Sequence, residues 1–144
     1  MTTAGVRRIL MTVMAVALVA LAAGCGTKQQ EEAADLANVY RGMYGLPGLH
    51  RSIELDTKAQ AQAERMSQAG DIFHSASLAS GVSPGWLLIG ENVGMASTTS
   101  EVQHAFEQSP AHRANLLNPA YVEMGVGVVE APGRVYVVQV FVQR

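Results

Sequence analysis

The sequence predicts an α+β fold with three layers, in which helices cover both faces of a small antiparallel sheet. Three observations support this prediction. Apolar residues recur at helical spacing over most of the chain, β-branched runs follow at the C-terminus, and the last of these runs is apolar on both faces. A strand with two apolar faces is typical of a sheet that helices cover on each side.

The first two predicted helices cover residues 31–44 and residues 56–69. The inner face of the first helix is predicted from apolar residues at helical spacing, namely Leu36, Val39, Tyr40 and Met43. The inner face of the second is predicted from Ala59, Ala63 and Met66. Thr57 with Gln60 resembles a capping box near the start of the second helix.

The rest of the chain alternates between strand and helix patterns. Residues 86–93 are apolar enough for a buried strand. Thr98 with Glu101 forms a second capping-box pattern, which predicts a short helix with Val102, Ala105 and Phe106 inward. Ser109 and Pro110 are the expected cap and first residue of a helix that continues over residues 111–117.

Two β-branched runs at the C-terminus predict a hairpin. They cover residues 121–129 and 135–142, and a turn sequence of Ala, Pro and Gly joins them at residues 131–133. In the second run, alternate residues form two apolar faces. This hairpin is therefore expected in the centre of the sheet, between helices.

Composition excludes several classes of protein. With 144 residues the chain forms one domain, and its 49% apolar and 15% charged content excludes a disordered polar tail. A formal net charge of −2 argues against nucleic acid as a partner. The single cysteine excludes an internal disulfide framework and metal sites built from several cysteines.

The N-terminus predicts a lipoprotein signal peptide over residues 1–24. Arg7 and Arg8 precede an apolar run over residues 9–23, which is shorter than the roughly 20 residues of a membrane-spanning helix. Small residues then lead to Cys25, a pattern that resembles a bacterial lipobox. The alternative is an ordinary signal-peptidase site with an unmodified thiol.

Cleavage at this lipobox would leave Cys25 as an acylated N-terminus. We then expect a lipidated, polar tether over residues 25–33 and a single domain over residues 34–144. The protein would lie at the extracytoplasmic face of the bacterial membrane, attached through its lipid. If Cys25 is not acylated, we expect a secreted protein.

Several short motifs occur in a fixed order along residues 38–141. They are Asn38-x-x-Arg41 with Gly45-Leu46, Phe73-His74-Ser75, Gly90-Glu91-Asn92-Val93, and Ser109-Pro110-Ala111-His112-Arg113-Ala114-Asn115. Spacing alone does not pair the histidines. Taken together, the motifs resemble the bacterial branch of the CAP superfamily (cysteine-rich secretory, antigen-5 and pathogenesis-related proteins, also called SCP domains).

The resemblance implies an α-β-α sandwich with a surface cleft in which His74, Glu91 and His112 converge. It implies that the two histidines are able to hold zinc or another divalent metal. It also implies four residues that line the cleft: Asn92, Ser109, Arg113 and Asn115. The chain departs from the family pattern in having Phe106 in place of tryptophan and Ala111 in place of glycine, with no clear counterpart of a second cleft glutamate.

Three functions are compatible with such a cleft. The first is a binding module for a lipid or another component of the cell envelope. The second is a metal-dependent hydrolase of peptides or esters, in which Glu91 would be the catalytic residue. The third is a protein–protein interaction domain with a vestigial cleft. Fold alone does not choose among them, so whether the protein is an enzyme stays open.

Overall fold

The structure, a computed structural model, describes residues 28–144. The predicted signal peptide and Cys25 lie outside this range. The elements in chain order are α1 (residues 28–43), β1 (His50–Arg51), α2 (Ile53–Ala69), β2 (Leu88–Ala96), α3 (Thr99–Gln108), α4 (Pro110–Leu116), β3 (Glu123–Ala131) and β4 (Arg134–Gln143). None of the helices within the described range is long and apolar enough to cross a membrane.

The strands form one sheet in the order β1-β3-β4-β2. The predicted C-terminal hairpin is present, with β3 and β4 antiparallel and Gly133 in the left-handed region (φ 74°) at its turn. β2 pairs antiparallel with the other side of β4. The predicted antiparallel sheet thus comprises β2, β3 and β4, and the two-residue β1 adds a parallel pair with β3. A strand this short has no periodic pattern, so the sequence did not predict it.

Helix α2 covers one face of the sheet. Its predicted inner residues, Ala59, Ala63 and Met66, are all fully buried. The sheet presents glycine to the helix: a Cβ atom on Gly125 would overlap the main chain of Leu55, and one on Gly127 would overlap that of Ala59. The helix and β3 therefore approach almost backbone to backbone, which only glycine permits.

The helices α1, α3 and α4 cover the other face and confirm the three-layer arrangement. Val102 and Phe106 of α3 point inward as predicted, whereas Ala105 is exposed. The predicted inner face of α1 is wrong at two positions, because Val39 is 64% and Met43 is 74% exposed, whereas Tyr40 is buried as predicted and Leu36 is half-buried. The other buried apolar residues of α1 are small, namely Ala33, Ala34 and Ala37. Small side chains allow α1 to lie close to the sheet and leave its larger apolar residues outside.

The start of α2 also differs from the prediction. The helix begins at Ile53, and Thr57 lies inside it, where its hydroxyl donates to the Ile53 carbonyl (2.8 Å). The predicted cap of Thr57 with Gln60 is therefore wrong. The cap of α3 is confirmed, since Thr98 accepts a hydrogen bond from the Glu101 amide (3.2 Å).

The strand boundaries differ from the predicted ones by one to three residues. The first helix begins at residue 28, three residues before the predicted start, so that residues 28–33 form its first turns. They contact the domain, since the Gln30 amide donates to Gln60 (2.9 Å) and Arg51 donates to the Gln30 carbonyl (3.2 Å).

A buried arginine joins α1 to the C-terminal end of α4. Arg41 is 0% exposed and donates to the carbonyls of Pro47 (2.9 Å), Leu116 (2.8 Å) and Asn118 (2.9 Å). Its Nη2 has no partner among the described residues. Burial lowers the pKa of Arg41. Because carbonyls are partial negative charges at a helix C-terminus, this contact fixes where α4 lies.

Candidate functional site

The structure brings His74 and Glu91 into direct contact. The Nδ1 atom of His74 lies 2.9 Å from Oε1 of Glu91, which also accepts from the main-chain amide of Ser75 (2.8 Å). The Ser75 hydroxyl donates to the other carboxylate oxygen (2.5 Å). The Glu91 side chain is only 2% exposed, whereas that of His74 is 61% exposed.

This contact assigns the roles of the two groups. A carboxylate only accepts hydrogen bonds, so Nδ1 of His74 carries the proton and Nε2 presents its lone pair. Partners of this kind set the tautomer and the orientation of an imidazole. Both oxygens of Glu91 are thus engaged by His74 and Ser75, and the position of Glu91 is that of an orienting acid beneath an exposed base.

His112 enters from the other layer, in the first turn of α4. Its ring packs edge to face on Phe106, with centroids 4.9 Å apart. Burial lowers the pKa of His112, and the nearby His74 lowers it further. The neutral form of this half-buried imidazole is therefore favoured. Phe106 occupies the position at which the family resemblance implies tryptophan, and it still provides an aromatic support for the histidine.

Two neighbouring residues of β2, Glu91 and Asn92, contact His74 and His112 respectively. Glu91 contacts His74, whereas Nδ2 of Asn92 donates to the carbonyl of His112 (3.2 Å). Asn115 joins them, because its Nδ2 donates to Oδ1 of Asn92 (2.9 Å) and to the Glu91 carbonyl (3.2 Å). Successive side chains of a strand point to opposite faces, so adjacent residues reach different layers. Asn92 and Asn115 thus connect β2 with α4.

The other two residues expected to line the cleft make different contacts. Arg113 donates from Nη2 to the hydroxyl of Tyr44 (2.9 Å), and its guanidinium lies 5.2 Å from the centroid of the Tyr44 ring. With Pro110 and Ala114 it borders a cavity of about 380 Å³ on the outer side of α4. Ser109 is the N-cap residue of α4 and makes no side-chain capping bond. The side chain of Arg113 thus contacts Tyr44, directly after α1.

The metal hypothesis is limited by the number of ligands. Within residues 28–144, no group of three or more His, Cys, Asp or Glu side chains is arranged to hold a metal ion. Zinc sites in proteins use three or four protein ligands. Since Glu91 is engaged with His74 and Ser75, only the two imidazoles remain. The described residues therefore do not fit a resident zinc ion held by the protein alone.

Three residues of the site had no predicted role. Ser75 is a donor to Glu91. Gln62, 1% exposed, donates from Nε2 to the carbonyl of Phe73 (2.5 Å). Lys58 donates to two carbonyls of the following loop, at Ser77 and Ser80, and burial lowers the pKa of Lys58 while Glu91 opposes this shift. The available signal for Gln62 was its position on the buried face of α2, where a polar residue requires a partner.

An apolar edge adjoins the exposed imidazole. Ile72 is 45% and Phe73 is 40% exposed, and both immediately precede His74 in the chain. Two exposed apolar residues therefore directly precede the exposed base in the chain. Arrangements of this kind suit a molecule that has both a polar and an apolar part.

Several solved structures are similar to this chain. An extracellular protein containing an SCP domain from Bacillus anthracis is 25% identical with a TM-score of 0.70, and the match covers 83% of this chain and 41% of that one. An outer surface protein from Borrelia burgdorferi is 18% identical with a TM-score of 0.69, over 81% and 93% of the two chains. A protein named NaASP2, crystallised with Zn²⁺, is 13% identical with a TM-score of 0.60, over 78% of each. This chain thus spans about two fifths of the Bacillus protein.

The sequence comparison agrees with the shared fold. No curated protein sequence matches the chain. The family model of the cysteine-rich secretory proteins matches residues 34–143. This range includes His74, Glu91 and His112 and all the elements from β1 to β4. The protein therefore belongs to the CAP, or cysteine-rich secretory protein, family.

Proposed function

We propose that this CAP domain is an extracytoplasmic binding module that takes a lipid, or another amphipathic component of the cell envelope, at the cleft around His74. One observation carries the proposal. The imidazole of His74 is 61% exposed and is oriented by the buried carboxylate of Glu91, and the two residues before it in the chain, Ile72 and Phe73, are exposed and apolar.

The chemistry of the cleft supports an amphipathic ligand. The Nε2 atom of His74 accepts a hydrogen bond from a hydroxyl or amide of the ligand, and donates one when the ring is protonated. Contact between an acyl chain and the side chains of Ile72 and Phe73 would contribute to the free energy of binding about 25 cal/mol per Å² of apolar surface removed from water. A ligand with a polar headgroup beside an apolar chain satisfies both.

The location of the protein is part of the same proposal. The predicted signal peptide implies export, and the Bacillus and Borrelia relatives are described as an extracellular and an outer surface protein. Acylation of Cys25 would attach the domain to the membrane, stably when two or more chains are present. A binding module attached in this way is supplied with lipid from the membrane itself.

Neither alternative function is favoured by a specific contact. A hydrolase would need Glu91 beside a reacting water, and both of its carboxylate oxygens instead accept hydrogen bonds from His74 and Ser75. Zinc is not required by the proposal, although the NaASP2 structure contains it. A protein-binding role would not explain why a buried acid orients an exposed base.

Lipid analysis of the full chain tests the proposal. We expect native mass spectrometry of protein purified from membranes to detect non-covalently bound lipid. Phe73→Ser and His74→Ala should each reduce the bound fraction about tenfold, as expected for a loss of about 1.4 kcal/mol. His104→Ala is the matched control, because His104 is an exposed histidine of α3. It should retain the lipid.

The proposal fails if no lipid co-purifies in repeated preparations, or if all three variants retain the same amount. The lipid on Cys25 is covalent and is distinguished by its mass in the denatured protein. Membrane fractionation of a Cys25→Ala variant checks the attachment in the same experiment. If that variant stays on the membrane with its signal peptide removed, acylation is not what attaches the domain.

A further inference from the structure

Two buried glutamines on opposite sides of the sheet each reach the main chain at one histidine of the cleft. We infer that Gln62 and Gln103 are positioning residues: Gln62 orients His74, and Gln103 orients His112 through Gln139 and Asn92. The inference deepens the proposed function, on which its biological meaning rests, but the contacts that carry it are all made between residues of the domain itself.

Gln62 acts on the α2 side of the sheet. Its Nε2 donates to the carbonyl of Phe73 (2.5 Å), the residue directly before His74. Its Oε1 accepts from two atoms of the exposed Arg65, Nε (3.0 Å) and Nη2 (2.6 Å). Because arginine only donates hydrogen bonds, Arg65 determines that the oxygen of this amide faces outward and the nitrogen faces Phe73.

Gln103 acts through a chain of amides on the other side. Its Oε1 accepts from Nε2 of Gln139 (3.0 Å), whose Oε1 accepts in turn from Nδ2 of Asn92 (3.2 Å). The same Asn92 nitrogen donates to the carbonyl of His112 (3.2 Å). We call Gln103, Gln139 and Asn92 the amide chain. Its members are between 0% and 3% exposed, so they have no competing bonds to bulk water.

A carboxylate sets the direction of the amide chain. Nε2 of Gln103 donates to Oε1 of Glu107 (3.0 Å), which lies half-buried at the outer end of α3. Since a carboxylate only accepts, the nitrogen of Gln103 must face Glu107 and its oxygen must face Gln139. The same order then repeats at Gln139 and at Asn92. The donor that meets the His112 carbonyl is therefore fixed from the protein surface, and the Asn115 amide, which donates to Oδ1 of Asn92 (2.9 Å), favours the same orientation of Asn92.

The two arrangements share one design. In each, a charged residue near the surface fixes the direction of a buried amide, and the amide donates to a carbonyl at or beside a histidine. Arg65 has this role for Gln62, and Glu107 has it for Gln103. Because the two sets lie on different helices and different faces of the sheet, each serves as the control for the other.

Nuclear magnetic resonance of the full chain in detergent tests the inference. We compare Gln103→Met with Gln62→Met, since methionine is unbranched, of similar length, and unable to make the amide bonds. Because the Phe106 ring packs on His112, its ring current should move the chemical shifts of the His112 ring protons away from those of the exposed His104. Gln103→Met should remove more than half of this difference and leave the nitrogen shifts of His74 unchanged.

Gln62→Met should have the converse effect. We expect the nitrogen shifts of His74 to show a mixture of tautomers, because the ring is no longer kept on Glu91, while the His112 ring protons stay as in the wild type. The inference is overturned if both variants move the two histidines alike, or if neither variant moves either one.

A third variant covers the case in which a buried substitution prevents folding. Glu107→Ala changes only the half-buried end of the amide chain and should move the His112 ring protons in the same direction as Gln103→Met, by a smaller amount. An unchanged His112 in a folded Glu107→Ala variant would contradict the assigned direction of the chain. None of these measurements involves lipid, so absence of lipid binding would refute the proposed function and leave the positioning inference to be judged separately.

Discussion

The two faces of the sheet are packed in different ways. On the face of α2, contact is close: the main chain at Leu55 and Ala59 of the helix lies directly on Gly125 and Gly127, and the packed residues are mostly aliphatic, with Gln62 as the buried polar residue of the helix. The face covered by α1, α3 and α4 also encloses polar groups, among them Arg41 and the amide chain. The comparison teaches that α2 is located mainly by steric contact along the sheet, with Asp56 and Gln60 accepting hydrogen bonds from the amides of Val126 (2.8 Å) and Val128 (3.0 Å). The three-helix layer is located more by hydrogen bonds buried in its interior.

The largest expected effect comes from disturbing the close contact between α2 and the sheet. In Gly125→Ala the new methyl group meets the main chain of Leu55, so α2 must move away from the sheet. We expect a loss of about 3 kcal/mol in the free energy of unfolding, the upper part of the usual range for overpacking. Denaturant unfolding of the two proteins measures it.

Gly42→Ala is the matched control for that substitution. Gly42 lies in α1, and a Cβ atom there would have nothing within 4 Å. The same change should therefore be neutral or stabilise by up to about 1 kcal/mol, since alanine is the better helix former. If both variants lose the same stability, close approach of α2 is not the cause.

A smaller effect is expected from removing the buried hydrogen bonds of Arg41 in the three-helix layer. Arg41→Met removes the donors to the carbonyls of Pro47, Leu116 and Asn118 but fills much of the same volume. Buried acceptors without partners destabilise, and we expect a loss of about 2 kcal/mol in the free energy of unfolding. Stability equal to the wild type would mean that relief from burying an unpaired cation compensates fully, and that the layer is held by apolar contacts instead.

The smallest expected effect is on the pH dependence of the free energy of unfolding, through His112. The pKa of His112 is lowered in the folded protein, so below the ordinary histidine pKa the unfolded chain binds the proton more readily. The contribution of His112 to stability should therefore be complete above about pH 6.5 and decrease as the pH falls below it. Unfolding at pH 7.5 and pH 5.5 should show a smaller difference for His112→Gln than for the wild type. Equal differences would contradict this assignment.

The features of the fold that the sequence predicted are those set by local chemistry. Thr98 caps α3 through the Glu101 amide three residues later, although the same spacing at Thr57 and Gln60 lies inside α2 and forms no cap. β4 is buried on both faces because apolar residues predominate on each side of the strand. The inner face of α1 was not predictable in the same way. Val39 and Met43 are apolar, but the close approach of α1 selects its alanines, which hydrophobicity alone ranks below them.

The residues of the site also differ in whether the sequence could predict their contacts. The contact of His74 with Glu91 was expected from the family resemblance, and the structure contains it. Helical spacing places Gln62 on the buried face of α2, but the carbonyl that it meets and the distant partner of Gln103, Gln139, are known only from the structure. Arg113 is a different case: its motif position predicts a residue of the cleft and gives no information about the Tyr44 ring on which its guanidinium lies.

The pairing of β2 with β4 runs from Leu88 opposite Gln143 to Ala96 opposite Val135 without interruption. Because alternate side chains face opposite layers, an insertion or deletion of one residue before Glu91 would exchange the two sides. The carboxylate would then turn toward α4 and the Asn92 amide toward α2, so both imidazoles would lose their supports at once. Length changes in this protein should therefore be tolerated in the loop over residues 75–85 only when strand registry is preserved, a coupling that substitutions alone would not reveal.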